Sequence, residues 1–223
     1  MPFKFSAALA ATLLLASQAQ AVTITFDDLA AGTTLANQYA SQGVTFSANA
    51  FTGAGSSGSG QPWATNTDMT IVSITGGSTE VGALGTPALA SGNVLHRYNG
   101  WLAEDGDPSF WINFSTPVSS VSLTVAGLGG NLYAPDTRVF VYDGNTLLTT
   151  LTAALPNASV GQLDLSFAAA NITRVAVAPG SYNDWVAVDN LVFAPVPEPG
   201  TYGLMALGLG AVGLAALRRR RAR

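Results

Sequence analysis

Three acids, Glu104, Asp105 and Asp107, stand close together between Gly100 and Pro108. Paired carboxylates are the machinery of glycoside hydrolysis, one acting as acid and the other as base or nucleophile. In a Gly/Pro-bounded loop the same spacing suits a solvated turn or a cation loop better. His96 is the single histidine. A Ser-His-Asp arrangement would have to use it, and the chain has no G-x-S-x-G elbow. A histidine-based zinc site would lack its second imidazole. Within Val94-Leu95-His96-Arg97-Tyr98, His96 reads as an ordinary strand residue. There is no cysteine, which excludes disulfides, thiolate nucleophiles and thiolate metal sites. The chain is therefore not expected to be an enzyme.

The four tryptophans, Trp63, Trp101, Trp111 and Trp185, offer a different chemistry. Indole faces stack on the C–H faces of pyranose rings while nearby polar groups meet the hydroxyls. Trp101 follows Tyr98 and Asn99 and precedes the acids just named. Trp185 follows Tyr182, Asn183 and Asp184. Trp101, Trp185, Tyr98 and Tyr182 are the ligand-contact candidates; core packing is the other role open to each indole. In Phe110-Trp-Ile-Asn-Phe114, strand alternation puts Phe110, Ile112 and Phe114 on one face and Trp111 and Asn113 on the other.

These residues must be carried by β-structure. Ten stretches run apolar or alternate, are rich in β-branched residues, and stop at Gly, Pro, Asn or Asp. They are 22–26, 43–47, 69–74, 110–114, 118–125, 138–142, 146–152, 162–167, 172–178 and 186–193. Asp143-Gly144-Asn145 is a hairpin signal. Short spacing predicts an all-β, two-sheet antiparallel β-sandwich of jelly-roll type. A turn of helix is expected within Thr34–Ser41. Thr52–Gly60 has linker composition, and Gly76–Gly92 also reads as loop.

The two ends are of another kind. Lys4, the apolar run Ala7–Ala16 and the small residues of Ala19-Gln20-Ala21 form a secretory leader. Residues 1–21 are thus expected to be removed, leaving the ectodomain 22–195. The last stretch, 196–223, begins with a Pro197-Glu198-Pro199 breaker. An uncharged run follows, predicting a short membrane helix over about 202–217, and the arginine-rich end 218–223 is expected to stay cytoplasmic. Without these ends, the domain keeps three arginines against twelve acids, a charge near −9. That excess argues against nucleic acid as a partner and suits divalent cations.

Val196-Pro197-Glu198-Pro199, the apolar run and the arginine end together resemble the PEP-CTERM sorting signal of Gram-negative bacteria. The resemblance implies export by the secretion machinery and transient inner-membrane anchoring. It further implies cleavage by exosortase and delivery to the cell surface or the exopolysaccharide matrix. A second resemblance joins Ile24-Thr-Phe-Asp-Asp-Leu29 to Val186-Ala-Val-Asp-Asn-Leu-Val-Phe193. It is to carbohydrate-binding and galactose-binding jelly rolls, whose first and last strands lie side by side. That pattern implies a structural Ca²⁺ at Asp27 and Asp189, assisted by Asp28 and Asn190. The function implied is a non-catalytic matrix or surface protein that binds polysaccharide. An extracellular glycan hydrolase and a purely structural protein are the alternatives.

Overall fold

Phe110, Ile112 and Phe114 are buried, while Trp111 and Asn113 between them are half-exposed, as strand alternation requires. The same alternation builds the rest of the domain. A computed structural model of the chain describes residues 20–48, 50, 69–74, 90–96, 109–127, 136–156, 161–178, 186–196, 203 and 208–213. Nine strands are described within Ala21–Pro195, a unit in itself. They are β1 (Val22–Ile24), β2 (Val44–Ala48), β3 (Thr70–Ser73), β4 (Asn93–His96), β5 (Phe110–Gly127), β6 (Thr137–Asp143), β7 (Thr146–Ala153), β8 (Gly161–Ala178) and β9 (Val186–Pro195).

All pairings are antiparallel. The strand order is β3-β4-β9-β5-β8-β6-β7, with β1 added on β9 and β2 on β5. The all-β antiparallel class is as expected, and its two halves are joined in one ladder. Strands β5 and β8, 18 residues each, run through both. The first part of β5 lies between β2 and the end of β8; its later part lies between β9 and the start of β8. One core draws on both halves: Phe46, Ile112 and Val141 share it with Leu123, Leu191 and Phe193. The Phe114 and Phe193 rings meet at 5.0 Å.

Several expected boundaries move. Two pairs of predicted strands fuse, 110–114 with 118–125 and 162–167 with 172–178. Pro117 has no N–H to give, yet it sits where the β5–β8 register shifts between Asn113 and Val118, a position where the ladder loses nothing by it. The short strand β4 was not among the ten stretches. The expected helical turn is a 3₁₀ turn at Ala40–Gln42, closed by Gly43 at φ 90°. The hairpin signal is confirmed: Gly144, at φ 55°, and Asn145 join β6 to β7.

Beyond the sandwich, residues 208–213 are helical. Among the described residues no helix is long and apolar enough to cross a membrane. Most of the expected span 202–217, and the leader except Gln20 and Ala21, lie outside the described residues.

Ile112 is fully buried where β5 meets both β2 and β8. Ile112→Ala should lower unfolding free energy by about 2–5 kcal/mol through lost burial and a cavity. Leu148→Ala, at a side chain 39% exposed on β7, should change it by less than about 0.5 kcal/mol. Urea unfolding of the two variants checks the pair.

Candidate functional site

The first strand pairs with the last, Val22 opposite Phe193 and Ile24 opposite Leu191. Beyond β1 the chain turns sharply at Phe26, which has φ 60°, a conformation that bulky side chains avoid. Packing holds it there. The Phe26 ring is fully buried and meets the rings of Tyr39 and Phe46 edge-on at 5.9 and 6.0 Å. A Leu29 N–H donated to the Phe26 carbonyl at 3.1 Å closes the turn. Asp27 and Asp28 are thereby set at the end of the sandwich core.

Their fates differ. Asp28 accepts the Tyr39 hydroxyl at 2.5 Å. Burial first, and the Asp28 carboxylate second, push the Tyr39 phenol well above its ordinary range. Asp27 instead accepts the Asn93 N–H at 2.8 Å. Two residues earlier, the Ser91 N–H donates to Asp189 at 3.1 Å. The Ser91-Gly92-Asn93 segment thus joins Asp27 to Asp189, and Gly92 is required between them. Its φ is 71°, and a Cβ there would run into the Asp27 carboxylate. The Asn93 side chain ties the turn further, donating to the Leu29 carbonyl at 2.8 Å.

Asp189 is 1% exposed. Both of its oxygens accept backbone N–H groups, from Ser91 at 3.1 Å and from Asn190 at 2.7 Å. Burial raises its pKa to about 6; the two N–H groups oppose the rise and the Asp27 charge adds to it. Asn190 turns away from the pair. It sits in a β-bulge at φ 50°, and its amide donates to the Thr124 hydroxyl at 3.3 Å. Of the expected quartet, the structure brings together Asp27 and Asp189, ties Asp28 to Tyr39 and directs Asn190 to Thr124. Among the described residues no group of three or more His, Cys, Asp or Glu converges on one point. A cation there would need carbonyl or water oxygens besides the two carboxylates.

Tyr98, Trp101, Tyr182 and Trp185 lie outside the described residues, but the strand ends that flank them are fixed. His96 is opposite Thr70 and Ala187, and Gly127 is opposite Val186 and Gly161. A second group of strand ends places Phe110 opposite Ala48 and Val177, with Arg138 opposite Ala178. The four chain segments 49–69, 97–109, 128–136 and 179–185 each connect the first group to the second. Between them they carry Trp63, Trp101 and Trp185. The remaining indole, Trp111, has the Arg174 guanidinium over its ring at 4.2 Å and Tyr142 edge-on at 5.4 Å. It is stacked by protein.

The C-terminal stretch decides one matter directly. Residues 195–221 match the PEP-CTERM protein-sorting motif. The match includes Pro197, Glu198 and Pro199. The PEP-CTERM motif marks an exported protein, held transiently at the membrane and processed by exosortase. No curated protein sequence matches the chain. Among solved structures, the K2 cleaved adhesin domain of Lys-gingipain is similar at 13% identity, covering 78% of this chain and 97% of that one with a TM-score of 0.48. A cyclase from Fischerella sp. TAU is similar at 15% identity, 79% and 100% coverage and a TM-score of 0.40. A family 6 carbohydrate-binding module is similar at 16% identity, 57% and 94% coverage and a TM-score of 0.28.

Sequence reasoning missed Tyr39, Ser91, Gly92 and Asn93 as parts of this corner. Only Gly92 carries a usable signal, as a glycine before a short apolar strand.

The Asp189 shift has a defined sign. Its carboxyl holds a proton more tightly folded, at about 6, than unfolded, at about 3.9. Its contribution to stability is full below about pH 4 and is lost as pH rises through about 6. In EDTA, unfolding free energy should fall by up to about 3 kcal/mol across that window, and Asp189→Asn should flatten the profile. Urea unfolding at a series of pH values measures it.

Proposed function

We propose that the exported chain is a non-catalytic cell-surface or matrix protein whose sandwich binds polysaccharide through Trp101 and Trp185, flanked by Tyr98 and Tyr182. One observation carries the reading. The segment after β4 and the segment before β9 issue from paired positions, His96 opposite Ala187. The same two segments return to paired positions, since Phe110 is opposite Val177. Neighbouring anchors at both ends favour neighbouring indoles. A pair of aromatic faces reads sugar rings without a formal charge, which suits a domain so rich in acids.

Trp101→Ala and Trp185→Ala should each weaken retention on immobilised exopolysaccharide at least tenfold and leave the melting temperature within a few degrees. Affinity electrophoresis with a melting curve is the check. If both variants unfold, the indoles are core residues and the reading fails. Release of reducing ends from the same polysaccharide would favour the hydrolase alternative. Retention by none of the glycans tested would favour the structural one.

A Ca²⁺ ion between Asp27 and Asp189 forms a second part of the proposal. The observation favouring it is that both carboxylates bind the Ser91–Asn93 backbone at a corner joining the first and last strands. Ca²⁺ at a hundredfold excess over its Kd should add about 2.7 kcal/mol to stability. The gain should be largest above pH 6, where Asp189 has lost its proton. Asp27→Asn and Asp189→Asn should each abolish the Ca²⁺-dependent rise in melting temperature. An unchanged rise in both rules these residues out.

A further inference from the structure

Three adjacent strands form an open groove of about 410 Å³, lined by Ser122, Leu123 and Thr124 on β5, Asp164 and Ser166 on β8, and Asn190 and Val192 on β9. Alternation explains it. In β5 the core takes Val121, Leu123 and Val125; in β8 it takes Leu163, Leu165 and Phe167. The residues between them face outward, and the register sets Ser122 beside Ser166 and Thr124 beside Asp164. Small side chains on adjacent strands leave a trough instead of a filled surface.

The bulge in β9 completes the wall. Ser122 pairs with Val192, whereas Thr124 pairs with Asp189, so two residues of β9 oppose Leu123 alone. The extra residue resets alternation. Val188 and Leu191 both reach the main core although they are three positions apart, and Asn190 and Val192 both line the groove. Asn190 pays for this with a left-handed backbone at φ 50°, a conformation that Asn tolerates better than most residues. Such outliers concentrate at sites of function.

The polar groups are organised in a relay. The Asn190 amide donates to the Thr124 hydroxyl at 3.3 Å, and that hydroxyl donates to Asp164 at 2.5 Å. Thr124 is 2% exposed, so the relay is rooted in the sheet, whereas Asp164 is exposed. The walls carry a carboxylate acceptor, hydroxyls that both donate and accept, and apolar contacts at Leu123 and Val192. Among the described residues they carry neither a cation nor an aromatic ring. A carboxylate without a cation disfavours anionic ligands, and walls that mix hydroxyls with apolar surface suit the hydroxyls and C–H faces of a sugar.

We propose that this groove is a second glycan subsite, which takes a neutral, hydroxyl-rich sugar unit with vicinal hydroxyls donated to Asp164. The proposal rests on the polysaccharide-binding reading above and names a chemical class for part of the ligand: neutral rather than uronic or sulfated.

The test uses the full chain with neutral gluco-, galacto-, manno- and xylo-oligosaccharides and with oligogalacturonate, by titration calorimetry. At least one neutral oligosaccharide should bind saturably and oligogalacturonate should not. Asp164→Ala removes an exposed group and Asn190→Gly keeps the left-handed backbone while deleting the amide. Each should weaken neutral binding about tenfold or more, with the melting temperature within a few degrees. If Asn190→Gly unfolds, Asp164→Ala decides. Full binding by Asp164→Ala, or tighter binding of oligogalacturonate than of any neutral sugar, overturns the groove. If Trp101→Ala and Trp185→Ala alone lose binding, the groove fails and the aromatic reading stands. If only the groove variants lose it, the aromatic reading fails and the groove stands. Binding of no oligosaccharide overturns both.

Discussion

Asp27 and Asp189, both bound by the backbone of Ser91–Asn93, form the constraint on which the domain's closure depends. They sit next to the paired first and last strands. The segment between them also delivers β4 to β9, where Leu95 meets Val188. Satisfying the buried Asp189 carboxylate with backbone N–H groups is physically sound, because each of its oxygens gains a donor without bringing in a second charge. It also fixes geometry, since only glycine at position 92 lets the segment pass. The corner combines a buried acid, a strained Phe26 and a left-handed Asn190 within one pair of strand ends. Such a concentration of cost is tolerable only because the aromatic cluster of Phe26, Tyr39 and Phe46 and the β1–β9 ladder over-determine it.

The long strands β5 and β8 turn this closure into an architecture. Because each crosses both halves of the sheet, strand ends gather in two groups, and four connections run between the same groups. The fold therefore separates two kinds of surface. The middle of β5, β8 and β9 offers a small, hydroxylated trough. The ends supply connections that hold three of the four tryptophans. An exported domain with twelve acids and three arginines is well solvated outside the cell, and uncharged recognition by hydroxyl, amide and indole groups suits that setting.

Much of the fold was legible because alternation is a local property. Phe110, Ile112 and Phe114 announce their buried face without reference to any other segment. The sorting tail was legible for a similar reason, since Pro197-Glu198-Pro199, an apolar run and arginines follow one another directly. The misreadings have particular causes. Ser115-Thr116-Pro117 looks like a strand end, because the sequence does not show that the ladder already shifts register there. β4 has four residues, too few for a period. The site was legible only as a pairing of Asp27 with Asp189. That Asp189 is buried, that Asp28 belongs to Tyr39 eleven residues on, and that Asn190 faces the opposite task from its neighbour all depend on distant partners and on one bulge. Ser122, Thr124, Asp164 and Ser166 did leave a signal, two strands with polar alternate positions, but their juxtaposition is set by register alone.

On the proposed function, segments 97–109 and 179–185 contact the polysaccharide. Amide hydrogen exchange on the full chain, with and without exopolysaccharide recovered from the producing cells, tests it most directly. The account predicts slowed exchange in both segments, with the β6–β7 hairpin unchanged as an internal control. Exchange that is unaltered in both segments at saturating polysaccharide would contradict it.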